Sequence, residues 1–223
     1  MGDDKELKVL IIGAGGHAQV VADILNLNYA LGKIFRPIGF IDDNESLHDQ
    51  EFLGISVLGS SEKISEIPHD GVIIAIGDNK LRAKIYTELS KQGERLINAI
   101  HPSAVIAEDV TIGAGVVICG GVVVNTGTKI KNNVILNTGS TVDHHNLIHD
   151  HVHIAPGCAL GGNVVLGEGT LLGIGSTIMP QKSVGSWSTV GAGGVVTNSI
   201  PNNVTAVGIP AQVKKIPANE GKK

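Results

Sequence analysis

The chain has 223 residues, of which 42% are hydrophobic, 3% aromatic and 17% charged, with 30 glycines and a formal net charge of −4. That hydrophobic content excludes an intrinsically disordered chain, and 17 basic against 21 acidic residues argues against a nucleic-acid surface built on positive charge. Two cysteines, Cys119 and Cys158, are too few for a disulfide scaffold. The start MGDDKELK lacks the apolar core of a signal peptide, and Glu6 breaks a myristoylation pattern. No apolar run reaches the ~18–20 residues of a membrane span, so a soluble, cytoplasmic protein is expected.

Residues 1–101 alternate strands with helices. KVLIIGAGG is a short apolar run ending in glycines, as a buried parallel strand entering a tight turn would be. HAQVVADILNLN has helical apolar spacing, PIGFIDD a strand ending in acids, GVIIAIGDN another strand and KLRAKIYTELSKQG another helix. RLINAIHP closes the series, and the pattern predicts a Rossmann-like α/β domain.

Over 102–223 the pattern changes. Every sixth residue from Ile106 to Val196 is Ile, Leu or Val, sixteen in succession. Four residues after many of these comes a small or β-branched residue, as at Val116, Thr128, Val152 and Ser176. Glycine often follows the aliphatic directly, as at Gly113, Gly161, Gly167, Gly173, Gly185 and Gly191. A six-residue period of this kind predicts a hexapeptide β-helix, with the aliphatics stacked in a narrow tube and glycines at its corners.

Gly13-Ala14-Gly15-Gly16-His17-Ala18 fits a phosphate-cradling glycine loop between a strand and a helix. The acids Asp42 and Asp43 end the next strand, where a Rossmann domain binds ribose, so a dinucleotide reading is open. Against it, a second mononucleotide-binding half is missing. His17 also admits a simple packing or capping role.

Five of nine histidines, His144, His145, His149, His151 and His153, fall in ten residues, and none takes an inward position of the repeat. They belong on outer walls or corners. Zinc is the rival reading, but the spacing matches no compact metal motif, and no metal is expected. Cys158 takes an inward position and is expected in the core. A cysteine acyl-enzyme is the rival route, although neither cysteine falls beside a histidine in this layout.

Taken together, GAGGHAQVVADIL, FIDD, AIGDN, IHPSAVI, LNTGSTVDHH, HVHIAPG and VGIPA resemble, in order and over nearly the whole chain, the hexapeptide-repeat sugar acetyltransferases. Within them the sequence is most similar to bacterial N-acetyltransferases of nucleotide-linked 4-amino-4,6-dideoxy sugars. The resemblance implies a left-handed β-helix, a homotrimer with sites between subunits, acetyl-CoA as co-substrate, and direct transfer to the sugar amine. It marks His144 as general base, and Gly15, Gly16, His17, Asp42, Asp43 and Gly77 as contacts of the nucleotide sugar. It marks His153, Ile174 and Ala192 as acetyl-CoA contacts and the Gly162 N–H as an oxyanion donor. A neutral imidazole suits the base, because the attacking amine must shed a proton near neutral pH.

The sequence departs from the family where an acid usually follows the base: here stands His145, with Asp143 on the other side as a possible substitute. Gln212 replaces the usual basic residue after VGIPA, while Lys182, Lys214 and Lys215 are candidate partners of coenzyme phosphates. Two rival functions stay open: O-acetylation of sialic acid or another sugar hydroxyl, and a non-catalytic nucleotide-sugar-binding protein.

Overall fold

A computed structural model describes residues 6–214. In the α/β unit, strands β1 (Leu7–Ile12), β2 (Phe35–Ile41) and β5 (Gly71–Ile74) form a parallel sheet in the order β2-β1-β5. A short antiparallel pair, β3 (Glu51–Phe52) and β4 (Ile55–Ser56), lies between β2 and β5 in the chain. All four residues of β5 and the last four of β1 are buried, which accounts for their unbroken apolar runs. Helix α1 (Gly16–Ala30) buries Ala18, Val21, Ala22, Ile24 and Leu25 along one stripe. Helix α2 (Asn79–Lys91) starts at Asp78, whose side chain accepts from the Leu81 N–H at 2.8 Å.

The segment after α2 belongs to both halves. Leu96 bridges Val72 of the α/β sheet, whereas Ala99–Ile100 pairs with Val117–Ile118 of the solenoid. The two units therefore meet without an intervening linker.

From there the chain winds as a parallel β-solenoid with partners eighteen residues apart, as in Val105↔Val123↔Thr141↔Ala159↔Thr177↔Val195. Three two-residue strands make each turn. The first wall contains Val105–Ile106 and its successors, the second Thr111–Ile112, the third Val117–Ile118. The repeat aliphatics from Ile118 to Val196 are each at most 3% exposed, and burial of each contributes roughly 1.5–3 kcal/mol. Ile106 and Ile112, at the start of the tube, are only partly buried. The narrow bore leaves no room for aromatic rings, which is why the chain contains so few.

The glycines fall into two registers, where the sequence pattern suggested one. Left-handed backbone recurs at every sixth residue from Gly115 to Gly193, at Asn133, His145, His151, Asn163, Gln181 and Trp187 as well as at glycines. The glycines directly after the aliphatics do not have positive φ. They are small because the next coil presses on them: a Cβ on Gly173 would fall 2.6 Å from the Ala192 nitrogen.

The α/β unit covers the third wall. Val117, Cys119 and Ile135 of that wall share a core cluster with α1 and the sheet. The Asn28 amide donates to the Ile100 carbonyl at 2.8 Å, and the Asn79 amide to the carbonyls of Gly169 and Thr170 at 3.0 and 3.1 Å. Between them lies Arg82, fully buried and hydrogen-bonded to no carboxylate among the described residues. Its guanidinium donates to the carbonyls of Ile76 at 3.0 Å on one side and His151 at 2.7 Å on the other. Desolvation lowers its pKa to about 10, so it remains a cation.

Candidate active site

The glycine loop leaves β1 and enters α1 with Gly15 as N-cap, no side chain capping the helix and no acid in its first turn. The N–H groups that open the helix are thus available to an anion. A Cβ on Gly15, Gly16 or Gly77 would meet nothing within 4 Å, so these three line open space. Asp42 ties this loop down: Oδ2 accepts from Ala14 N at 2.8 Å and Oδ1 from Asn44 N at 2.9 Å. Asp43 accepts from Ser61 N at 2.8 Å, and that residue's backbone and hydroxyl hold its carboxyl below the usual range. Both acids line a cleft of about 580 Å³ at the carboxyl ends of β1 and β2, with Gly13, Ser61, Glu62 and Lys84.

His17 stacks on His153 across the junction of the two units, ring centroids 6.3 Å apart and planes at 27°. His153 Nδ1 lies 3.3 Å from the Gly77 carbonyl, so it carries the proton, and the Asn137 amide donates to Nε2 at 3.3 Å. Burial, reinforced by Arg82, pushes both imidazoles down to about 4 and keeps them neutral. His17 Nε2 is buried and has no hydrogen-bond partner among the described residues. His151 lies outside the tube, as its repeat position predicts, yet it is buried. Its ring sits between Tyr86 and Trp187, at 5.4 and 6.5 Å, because α2 covers that corner.

His144 occupies a different corner, between the first and second walls. Asp143 anchors it: its Oδ1 accepts from His144 N at 2.8 Å and from the Asn125 amide at 3.0 Å. Its carbonyl accepts from Thr128 Oγ1 at 3.0 Å and from the Asn146 amide at 2.8 Å, two polar side chains at inward positions. Asp143 therefore holds the loop backbone and leaves the imidazole to His145, whose Nδ1 lies 3.1 Å from His144 Nδ1. One coil further, Gly162 lies under the His144 ring. Its N–H enters no backbone hydrogen bond among the described residues.

Residues 8–89 match the PglD N-terminal domain family. The chain is 30% identical over 214 residues to a GDP-perosamine N-acetyltransferase of Escherichia coli O157:H7, covering 92% of this chain and 95% of that one. The chain belongs to the hexapeptide-repeat nucleotide-sugar acetyltransferases. Perosamine N-acetyltransferase from Caulobacter crescentus, solved in complex with CoA and GDP-perosamine, superposes with a TM-score of 0.85 at 38% identity, covering 93% of this chain and 97% of that one. The acetyltransferase domain of PglB from Neisseria gonorrhoeae, solved with acetyl coenzyme A, gives 0.85 at 34% identity, covering 94% of this chain and all of that one (100%).

In this acetyltransferase the expected site residues form four groups. Gly15, Gly16, His17, Gly77 and His153 converge at the junction of the two units. His144, His145, Asp143 and Gly162 form the second group. Ile174, 63% exposed, and Ala192, also exposed, sit eighteen residues apart on the corner between the third and first walls, joined by Gly193 N donating to Ile174 O at 2.8 Å. Asp42 and Asp43 line the α/β cleft. Lys214 is exposed and Lys182 half-buried, and Lys215 lies outside the described residues. Among the described residues no three His, Cys, Asp or Glu side chains are arranged to hold a metal ion, and no helix is long and apolar enough to cross a membrane.

Cys158 is buried in the tube with Sγ 3.1 Å from the Gly173 carbonyl, as its inward position predicts. Cys119 is buried against the α/β unit, which pushes its thiol up to about 11 and away from the thiolate a nucleophile needs. Sequence reasoning missed Arg82, Asn79 and Asn137. Nothing in a helical Asn-Lys-Leu-Arg signals contacts made 51–90 residues away, and nothing in a repeat Asn signals one to a histidine 16 residues on.

Proposed function

We propose that the protein transfers the acetyl group of acetyl-CoA to the amine of a nucleotide-linked 4-amino-4,6-dideoxy sugar, with His144 as general base and no acyl-enzyme. The observation that carries the reading is the His144 corner, where an exposed imidazole with Nδ1 occupied stands against Gly162, and among the described residues neither His144 Nε2 nor the Gly162 N–H has a hydrogen-bond partner. The amine attacks the thioester carbonyl, and His144 Nε2 takes the proton released as the C–N bond forms. The Gly162 N–H meets the oxygen of the tetrahedral intermediate, and coenzyme A leaves as the C–S bond breaks. GDP is the favoured nucleotide: the GDP-perosamine enzymes align over more than nine-tenths of this chain, whereas a UDP-N-acetylbacillosamine N-acetyltransferase of Bacillus subtilis aligns over 49%.

The α/β unit packs on the third wall, the side of the tube opposite the His144 corner. A sugar held at Gly15, Gly16 and His17 therefore has to meet His144 of another copy, and the reading requires a symmetric oligomer, a trimer by resemblance. Ile174 and Ala192 offer an exposed apolar stripe for the pantetheine arm along that seam.

Coenzyme A release should be measured with GDP-, UDP- and dTDP-linked 4-amino sugars and with a hydroxyl acceptor. The GDP-linked amine should turn over fastest, and His144→Ala should lower kcat by roughly 100-fold or more with substrate binding retained. Turnover confined to the hydroxyl acceptor, or undiminished in His144→Ala, would overturn the reading.

A further inference from the structure

His145 occupies one of the left-handed corners, with φ of 59°, and this conformation turns its ring back along the coil. The ring is seated on Gly127, eighteen residues earlier, where a Cβ would fall 2.6 Å from Cδ2. Gly127 is itself pinned, its N–H donating at 2.9 Å to Asp109, which also accepts from Thr126 Oγ1 at 2.8 Å. Above, His145 Nδ1 lies 3.1 Å from His144 Nδ1 with the rings at 78°. His145 N donates to the Thr126 carbonyl at 2.9 Å, so the backbone that carries the ring is fixed from below as well.

Two δ nitrogens in contact can share only one proton. If His144 kept its proton on Nε2, it could not accept another there. Free imidazole side chains have no fixed tautomer, and the hydrogen bond made by one ring nitrogen sets the state of the other.

We propose that His145 is a positioning residue that fixes His144 in its Nδ1–H tautomer, accepting that proton on its own Nδ1 and so leaving the His144 Nε2 lone pair free for the amine proton. His145 then carries its own proton on Nε2, on the side seated against Gly127. The inference rests on His144 being the base.

The test uses the full chain and two replacements suited to a left-handed corner. His145→Gly removes the ring, and glycine already stands at the equivalent corners Gly127 and Gly139. His145→Asn places Oδ1 where Nδ1 was and tolerates positive φ. We expect His145→Gly to lower kcat about tenfold at unchanged KM for both substrates, and His145→Asn to recover most of it. In ¹⁵N-histidine spectra His144 should be the Nδ1–H form in the wild type and in His145→Asn, and should shift toward Nε2–H in His145→Gly. Unchanged kcat, or an unchanged tautomer, in His145→Gly would overturn the inference. Undiminished turnover in His144→Ala would instead remove the reading beneath it.

Discussion

The His144 imidazole rests on the Cα of Gly162, one coil further along the same corner: a Cβ there would fall 2.5 Å from Nε2. Gly162 does not have positive φ, so its backbone accommodates alanine, and only the ring objects. Gly162→Ala should therefore fold and melt like the wild type while displacing His144 Nε2. Kinetics should show kcat reduced by up to roughly 100-fold, since small displacements of a reacting group have effects of that size.

His17 and His153 are neutral and half-buried, with pKa values near 4 against an ordinary 6.5. The unfolded chain takes up their protons first as the pH falls, so stability declines from about pH 6.5 toward pH 4 and is insensitive to these groups above that window. Each ring contributes up to roughly 3 kcal/mol to the loss. Thermal melts of the ligand-free protein should show it, and His153→Gln should flatten the decline.

Arg82 bonds only to carbonyls, and removing it leaves those of Ile76 and His151 without this donor inside the junction. Arg82→Met should destabilise the protein by about 2 kcal/mol, with urea denaturation as the measure. Arg82→Lys keeps the charge but lacks the planar fork that spans both units, and should recover only part of the loss.

Neither thiol is placed to accept an acetyl group. Cys119→Ala and Cys158→Ala should keep wild-type turnover, and no acetylated protein should accumulate when acetyl-CoA is supplied without acceptor. A mass increment of one acetyl group on Cys119 or Cys158 would contradict direct transfer.

The low aromatic content and the run from Ile106 to Val196 already specify a solenoid, because every sixth side chain must enter a bore too narrow for rings. The order of strands and helices ahead of it is equally legible, each element being a local pattern of burial. The His144 corner could be found because its residues are consecutive. The sequence could not show that His151 and His153 are covered, since the periodicity describes the tube alone and not what packs on its outside. It could not show Arg82 spanning the junction, or Gly127 and Gly162 seating two imidazoles from eighteen residues away. Those relationships arise from stacking coils and docking the α/β unit on the third wall, and only the tertiary structure brings the distant carbonyls and rings into contact.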